Sequence, residues 1–312
     1  MIRRVSCVAA LAASAAVVIP QIVPSVGQLQ ARATLQVIAS GLANPRGLAF
    51  GPEGGLYVAE AGSGGDGPCI TGGNGQTVCY GPTGGVTRIT LGATVTATRI
   101  ISGLPSLATG GASATGPHDV EFQGRGNGYV TIGLGNDPAV RSFLGAAGPN
   151  FGRLLRFQPN GKYAFQEDLA GYEAYANPDG VVPDSNPYGL LALPGRQVYV
   201  DAGGNALNAV AANGSISTLG VFPDGTVGEV PYQAVPTSVA VGPDGAFYVG
   251  QLTGVPFPPG AANVYRIPAN GAWRMSLRVK RVDPKQPVEL RAFLQSSTHA
   301  LTETWTSIIQ PD

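Results

Sequence analysis

Two adjacent residues, His118 and Asp119, are the best candidates for acid or base chemistry in this sequence. His118 is the only histidine between residues 34 and 271, and an imidazole titrates near neutral pH. The alternative is that His118 packs or caps a buried channel without reacting. The pair therefore predicts either a catalytic centre or a structural contact.

A hard divalent cation is the second kind of chemistry that the sequence could support. Carboxylate and amide oxygens are the ligands that Ca²⁺ prefers. If an ion is held, we expect Glu60, Asp119 and Asp201 to converge within about 5 Å on one point. Alternatively, these acids are solvated or make hydrogen bonds at strand ends. The candidate metal ligands are Glu60, Asp119, Asn136 and Asp201, and Ca²⁺ is the one cofactor considered.

The stretch NPDGVVPDSN, from Asn177 to Asn186, is also rich in oxygen-bearing side chains. It lacks the ligand spacing and the terminal glutamate of an EF-hand loop, so a turn-rich connection is the simpler interpretation. No G-x-S-x-G elbow, Walker loop or H-E-x-x-H motif occurs in the chain. The sequence does not indicate the catalytic classes that use them.

The elements that must position these residues follow a template that occurs four times. In each copy a proline is followed, twelve residues later, by a tyrosine and a valine. The prolines are residues 45, 117, 187 and 236, and the tyrosines are residues 57, 129, 199 and 248. The copies read NPRGLAFGPEGGLYVAE, GPHDVEFQGRGNGYVTI, NPYGLLALPGRQVYVDA and VPTSVAVGPDGAFYVGQ.

Each copy has the pattern of an antiparallel hairpin: an alternating apolar run, a turn and a Tyr-Val strand. A third strand is predicted in GGVTRIT, GRLLRFQ, NALNAVA and NVYRIPA, and a fourth in ATRIISGL and KYAFQEDL. Repeated units of this kind predict an all-β protein, a β-propeller with four-stranded antiparallel blades. Four blades are clear in the sequence.

The lengths of the connections predict where a ligand binds. The turn between the first two strands is constant, whereas the connections after the second strand and before the next first strand vary. In a propeller these variable connections lie on one face, and elaborated loops on a regular scaffold are typical of a binding surface. The residues predicted on this face are Arg46, Glu60, Tyr188, Asp201, Asn205 and Gln251.

The composition agrees with many short strands joined by turns. The 312 residues are 44% hydrophobic and 12% charged, and they include 46 Gly and 26 Pro. Such a chain can bury a large core and is not of the disordered or nucleic-acid-binding type. Without Arg3, Arg4 and Arg32 the formal charge is 16 basic against 19 acidic residues, which favours neither nucleic acid nor anionic lipid.

The N-terminal region predicts export. Two arginines precede an Ala/Val-rich run, and Ala31-Arg32-Ala33 is a small-x-small cleavage site. Pro20 and Pro24 keep the apolar run shorter than the roughly 20 residues of a membrane span. We expect a signal peptide over residues 1–33 and a secreted protein, extracellular or periplasmic, without a stable membrane anchor.

Cys69 and Cys79 are the two cysteines that remain after residue 33. In an oxidising compartment an even pair predicts a disulfide, here closing the loop CITGGNGQTVC. A metal site is less favoured because no histidine or second cysteine pair lies nearby, and a redox pair prefers C-x-x-C spacing.

Several stretches, in order, resemble one family. GLANPRGLAF, GGDGPCI, TVCYGPTGGVTRI and SNPYGLLALPG followed by DAGGNAL are similar to the secreted ScyD/ScyE family. That family is more distantly related to six-bladed NHL and gluconolactonase-like propellers. The resemblance covers about residues 34–271 and implies a secreted six-bladed propeller whose biochemical role is largely unassigned.

The last 41 residues have a different composition. Residues 272–312 contain no glycine, and both tryptophans lie there. No further copy of the template follows residue 271. The sequence predicts blades over residues 34–271 and an aberrant tail over 272–312, either a truncated or frameshifted end or a divergent closing blade with strands in LRVKRVD and PVELRAFL.

Two functions are compatible with these residues. The first is a binding module for a small molecule, a glycan or an extracellular protein, without turnover. The second is a metal-dependent lactonase or lyase of the kind found among related propellers, with Ca²⁺ as Lewis acid and His118 as acid or base. The small number of titratable groups favours the binding module.

Overall fold

The computed structural model describes residues 35–73, 75–124, 126–268, 288–292 and 305–309. The chain divides into two compact units, Met1–Ile38 and Ala39–Asp312. Of the first unit, only residues 35–38 are described, and they form no helix or strand. The predicted signal peptide, residues 1–33, lies outside the described residues.

The first sheet has the order β1-β2-β4-β5-β6, and β3 pairs with β4 at its edge. Proline begins β1 opposite Glu60 at the end of β2. The strands are β1 (Pro45–Phe50), β2 (Leu56–Glu60), β3 (Cys69–Thr71), β4 (Thr77–Thr90), β5 (Thr96–Thr109) and β6 (Ala112–Thr115).

The second and third sheets have four antiparallel strands each. A 3-10 helical segment, Pro138–Asn150, and helix α1, Leu169–Ala176, lie in their connections. The second sheet contains β7 (Pro117–Gln123), β8 (Asn127–Ile132), β9 (Arg153–Phe157) and β10 (Tyr163–Asp168). The third contains β11 (Pro187–Leu193), β12 (Arg196–Asp201), β13 (Ala206–Ala211) and β14 (Ile216–Val221).

The remaining strands form one three-stranded sheet and two hairpins. The first hairpin is β15 (Gly225–Val227) with β16 (Val230–Tyr232). The fourth sheet contains β17 (Pro236–Val241), β18 (Phe247–Gln251) and β19 (Val264–Ile267). The second hairpin is β20 (Val288–Ala292) with β21 (Trp305–Ile309).

All four copies of the sequence template form the predicted hairpin. The proline that begins the first strand pairs in every copy with the last residue of the second strand, namely Glu60, Ile132, Asp201 or Gln251. The register then shifts by one residue in each copy. The shared template therefore encodes one strand geometry, including its irregularity after the proline.

The hydrophobic core lies between consecutive sheets. Tyr57 of the first sheet packs on Phe122 of the second at 4.6 Å between ring centroids. Tyr129 of the second sheet shares a buried cluster with Tyr199 of the third. The first strands also contact one another in chain order, β1 with β7, β7 with β11 and β11 with β17. The sheets are thus arranged as consecutive propeller blades are.

The end of the chain departs from this arrangement. The fourth sheet contains three described strands, and β20 pairs with β21 in a sheet of its own. Part of the predicted PVELRAFL strand forms β20, whereas LRVKRVD lies outside the described residues. Residues 35–42 form no strand. Ala39 and Leu42 instead pack on the outer cluster around Leu56.

Candidate functional site

The disulfide loop is tied to two neighbouring connections. Cys69 and Cys79 pair across β3 and β4 and form the predicted disulfide, with their Cα atoms 4.0 Å apart. Asn136 donates from Nδ2 to the Thr71 carbonyl at 2.7 Å and forms a backbone bridge with Ser185. Asn136, predicted as a metal ligand, thus joins the connections that follow β2, β8 and α1.

A pocket of about 210 Å³ lies where these connections meet. Its polar lining consists of hydroxyls, amides and glycine backbone, and none of the described residues that line it is charged. The lining residues are Ile70, Gly72, Gly73, Val78, Leu107, Ser113, Thr115, Leu134, Gly135, Asn136 and Asn186. We call this space the disulfide-loop pocket. Its chemistry suits a small neutral ligand that offers several hydroxyl groups.

Asn186 has an unpaired acceptor in the wall of this pocket. Its Oδ1 atom is buried and has no hydrogen-bond partner within the described ranges. It lies against Gly133, where a Cβ atom would come within 2.6 Å of Oδ1 and 2.2 Å of His118 Cε1. Glycine at 133 therefore lets the Asn186 amide and the His118 ring lie side by side. Asn186 was not among the predicted site residues, because in the sequence it marks only the end of NPDGVVPDSN and the start of the third template copy.

His118 is buried and uncharged at neutral pH. The side chain is 2% exposed, its Nδ1 lies 3.0 Å from the Pro187 carbonyl oxygen, and its ring centroid is 4.4 Å from that of Tyr188. Burial lowers its pKa to about 4, the Pro187 hydrogen bond opposes this change and the Arg46 charge adds to it. With Nδ1–H donating to Pro187, the ring holds the first strands of the second and third sheets together.

Asp119 connects the same strands. Its carboxylate accepts hydrogen bonds from the Val120 and Leu190 amides, each at 2.9 Å. Burial raises its pKa to about 6, although both hydrogen bonds lower it. A Cβ atom at Gly47 would collide with Oδ1, so Asp119 fills the space between β1, β7 and β11. Both of its oxygens already have donors.

The residues at the ends of the second strands bind nearby connections. Glu60 accepts from the Ala43 amide at 2.7 Å and from the Thr87 hydroxyl, and it lies 3.8 Å from Arg99. Gln251 accepts from Asn263 at 3.0 Å. These side chains therefore anchor the loops that surround them.

Asp201 has the largest set of donors. It accepts from the Ser185 hydroxyl at 2.7 Å, from the Asn186 amide at 2.6 Å, and from the amides of Gly203 and Gly204 at 3.1 Å each. Burial raises its pKa, and all four hydrogen bonds lower it. Asp201 is therefore a fully satisfied carboxylate that fixes two connections.

The other residues predicted on the binding face also contact loop segments. Arg46 donates from Nη2 to the Ala114 carbonyl at 2.8 Å. Asn205 donates to Asp179 at 3.1 Å and accepts from the Val235 amide at 3.0 Å. The predicted face is thus a network in which connections of successive sheets are hydrogen-bonded to one another.

The structure does not bring the predicted metal ligands together. Within the described ranges, no three or more His, Cys, Asp or Glu side chains are grouped so that they could hold a metal ion. Glu60, Asp119 and Asp201 instead have separate hydrogen-bond partners in different sheets. Metal binding by these residues and catalysis by His118 stay predictions.

Comparison with known proteins finds a family at the C-terminal end. The family described as "Periplasmic glucan biosynthesis protein, MdoG" matches residues 260–309. Glucans biosynthesis protein G of Ralstonia nicotianae is 46% identical over 43 residues, which are 14% of this chain and 8% of that protein. The Pectobacterium atrosepticum protein of the same name is 47% identical over 45 residues, 14% of this chain and 9% of that protein. The chain thus spans less than a tenth of these relatives.

Solved structures resemble the chain only weakly. A virginiamycin B lyase from Staphylococcus aureus has a TM-score of 0.37 and 14% identity, and the likeness covers 72% of this chain and 55% of that one. An aldose sugar dehydrogenase from Streptomyces coelicolor has a TM-score of 0.35 and 16% identity, covering 75% and 84%. At such TM-scores the likeness identifies neither fold nor function. No helix in the described residues is long and apolar enough to cross a membrane.

Proposed function

We propose that this protein is a periplasmic recognition module that binds a neutral saccharide in the disulfide-loop pocket without chemical turnover. The observation that carries the proposal is the lining of that pocket, which combines hydroxyls, amides and apolar side chains and, as far as the chain is described, contains no charged group. Saccharides offer many hydroxyl groups and no charge, so such a lining suits them. An acid, a phosphate or a cationic ligand would meet no opposite charge there.

The size of the pocket limits the ligand. Sites for drug-sized molecules are about 300–1,000 Å³, whereas this pocket measures about 210 Å³. One sugar ring therefore fits better than an extended oligomer, and further rings of a longer chain would lie outside. Asn186 lines the pocket, and its unpaired, buried oxygen would accept from a sugar hydroxyl once the side chain turns toward the ligand.

The compartment and the ligand class have independent support. The Cys69–Cys79 disulfide belongs in an oxidising compartment such as the periplasm. The relatives that resemble residues 260–309 are named for glucan biosynthesis, and the matching family is described as periplasmic. We extend these two properties to the present chain as proposals. We also propose that the blades belong to the ScyD/ScyE family and to a six-bladed type.

The metal-dependent lactonase or lyase is the less supported alternative. It would use His118 as acid or base, but burial lowers the pKa of this side chain to about 4. A proton carrier at neutral pH works best with a pKa near 7. The Nδ1–H group is also occupied by Pro187. These contacts favour recognition over catalysis.

Calorimetric titration with glucose and with glucose disaccharides tests the proposal. We expect binding by the wild type, and about a fivefold loss of affinity in Asn186→Ala, since one hydrogen bond to a ligand contributes about 1 kcal/mol. Thr115→Val probes a second lining residue. Asn160→Ala is the control, because Asn160 is an exposed turn residue far from the lining. Equal binding by Asn186→Ala, Thr115→Val and the wild type would overturn the proposed pocket, as would no binding at millimolar sugar.

A further inference from the structure

Helix α1 directs a glutamate into the protein interior. The helix spans Leu169–Ala176, and its buried residues are Leu169, Ala170 and Glu173. Positions three and four apart lie on one helix face, so Glu173 shares the core-facing side with two apolar residues. Asp168 caps the start of the helix by accepting from the Gly171 amide. A charged residue on this face therefore requires a specific explanation.

The carboxylate of Glu173 is buried and has no hydrogen-bond partner among the described residues. The residue is 1% exposed, and neither Oε1 nor Oε2 accepts a hydrogen bond from the part of the chain that the structure describes. A buried ionised carboxylate without a partner is strongly unfavourable, so such groups are paired, protonated or bound to a metal ion. A proton would neutralise the charge but would still leave both oxygens without a donor.

A second carboxylate with a free oxygen lies beside it. Asp184 Oδ1 is buried and unpartnered as well. Both acids border the glycine pair Gly203–Gly204. A Cβ atom at Gly203 would lie 2.7 Å from Asp184 Oδ1, and one at Gly204 would lie 2.4 Å from Glu173 Oε2 and 3.3 Å from the Asp184 carbonyl oxygen. The space that a Cβ atom would occupy at each glycine is therefore bordered by oxygens of α1 or of the segment that contains Asp184.

The surrounding charges are also acidic. The pKa of Glu173 is raised to about 8. Burial is the main cause, and the charges of Asp201, Asp179 and Asp184 contribute to the same increase. Burial likewise raises the pKa of Asp184 to about 6, together with Asp201, Asp137 and Asp179. A cation in this space would relieve the repulsion among these groups.

We propose that a Ca²⁺-type divalent cation binds between Glu173 and Asp184, over the Gly203–Gly204 backbone. Hard cations are coordinated by carboxylates, carbonyls and water. Two carboxylates and the Asp184 carbonyl oxygen would provide the protein ligands, and water would complete the coordination shell. The oxygen-only set favours Ca²⁺ over Zn²⁺, which prefers nitrogen and sulfur. This site is separate from the disulfide-loop pocket, and neither proposal depends on the other.

The proposed site includes a residue of the stretch that the sequence predicts to be a turn-rich connection. Asp184 belongs to NPDGVVPDSN, whose oxygen-bearing side chains lack EF-hand spacing. The stretch itself contains no glutamate, and Glu173, four residues before it begins, would supply the second carboxylate. Asn177, at the end of α1, also has a buried and unpartnered Oδ1 atom.

Calcium titration of the full mature chain after dialysis against EDTA tests this inference. We expect one site of micromolar affinity in the wild type, at least tenfold weaker binding in Glu173→Gln and in Asp184→Asn, and weaker binding of Mg²⁺. Glu229→Gln, in the exposed turn of the β15–β16 hairpin, is the matched control and should bind as the wild type does.

Two results would overturn the inference. One is the absence of any calcium binding at millimolar ion in a wild-type protein that melts cooperatively. The other is equal calcium affinity in the wild type, Glu173→Gln and Asp184→Asn, which would place the ion elsewhere. Glu173→Gln replaces a buried, unpaired acid with a neutral side chain of similar size, so this variant should fold, and Asp184→Asn provides the same test through a different segment.

Discussion

Two neighbouring carboxylates, Asp201 and Glu173, are equally buried and yet differ completely in their hydrogen bonds. Asp201 at the end of β12 accepts four hydrogen bonds, whereas Glu173 on α1 accepts none. The backbone amides of Gly203 and Gly204 donate to Asp201, and the opposite side of the same glycine pair faces Glu173 and Asp184. Burial alone therefore does not identify a functional acid, but a buried acid without donors points to a missing ligand.

Replacing Asp201 should have the largest effect on stability. Asp201→Ala leaves the Ser185 hydroxyl and three backbone amides without their acceptor, and we expect the free energy of unfolding to fall by about 3–5 kcal/mol. Urea denaturation followed by circular dichroism measures this change. Asp66→Ala, on an exposed loop, should change stability by less than about 0.5 kcal/mol. A loss for Asp201→Ala below about 1 kcal/mol would show that its hydrogen bonds are not what holds these connections.

The pH dependence of the free energy of unfolding should show the second largest effect, and it should come from Glu173. Because burial raises the pKa of Glu173 from 4.5 to about 8, the folded protein keeps a proton that the unfolded chain releases. In EDTA the free energy of unfolding should therefore fall as pH rises from about 4.5 to about 8. Glu173→Gln removes this contribution, which we expect to amount to about 4 kcal/mol between these two pH values.

The difference between the wild-type and Glu173→Gln stability curves isolates this one group. Asp119 and Asp184, whose pKa values are raised to about 6, and Glu121, whose pKa is raised to about 7, contribute in the same direction in both proteins. Parallel curves for the two proteins in EDTA would contradict a raised pKa at Glu173.

Replacing Gly204 with alanine should lower the free energy of unfolding by a smaller amount. In Gly204→Ala the new Cβ would lie 2.4 Å from Glu173 Oε2. The Glu173 side chain must then move, and we expect the protein to lose about 1–3 kcal/mol of stability. Calcium affinity should fall as well, because the carboxylate must move. Gly220→Ala is the matched control, since the nearest atoms to its Cβ are 3.7 Å away. Equal calcium affinity in both variants would place the ion away from the glycine pair.

Much of the fold was predictable because it is repeated locally. Each hairpin follows from a proline, an alternating run and a Tyr-Val pair, so four copies at one spacing were enough to predict the strands. The disulfide was likewise predictable from two cysteines in one short loop. The altered composition after residue 271 predicts an aberrant tail over residues 272–312, and the family that matches this end of the chain covers residues 260–309.

The sites were less predictable because they depend on partners from distant segments. Asp119 looked available for chemistry, but its second oxygen is bound by the amide of Leu190, 71 residues away. Glu173 was not a candidate because the sequence pattern does not predict the short helix α1 after KYAFQEDL. Whether a buried acid has donors depends on the folded backbone, and no local pattern in the sequence encodes it.

The most direct test is the number of protons released when calcium binds at pH 7. Calorimetry in two buffers of different ionisation enthalpy measures this number. With a pKa of about 8, Glu173 is mostly protonated at pH 7, so we expect about one proton to be released per Ca²⁺ by the wild type. Glu173→Gln should release none. Calcium binding without proton release, or equal release by both proteins, would contradict a cation site at Glu173.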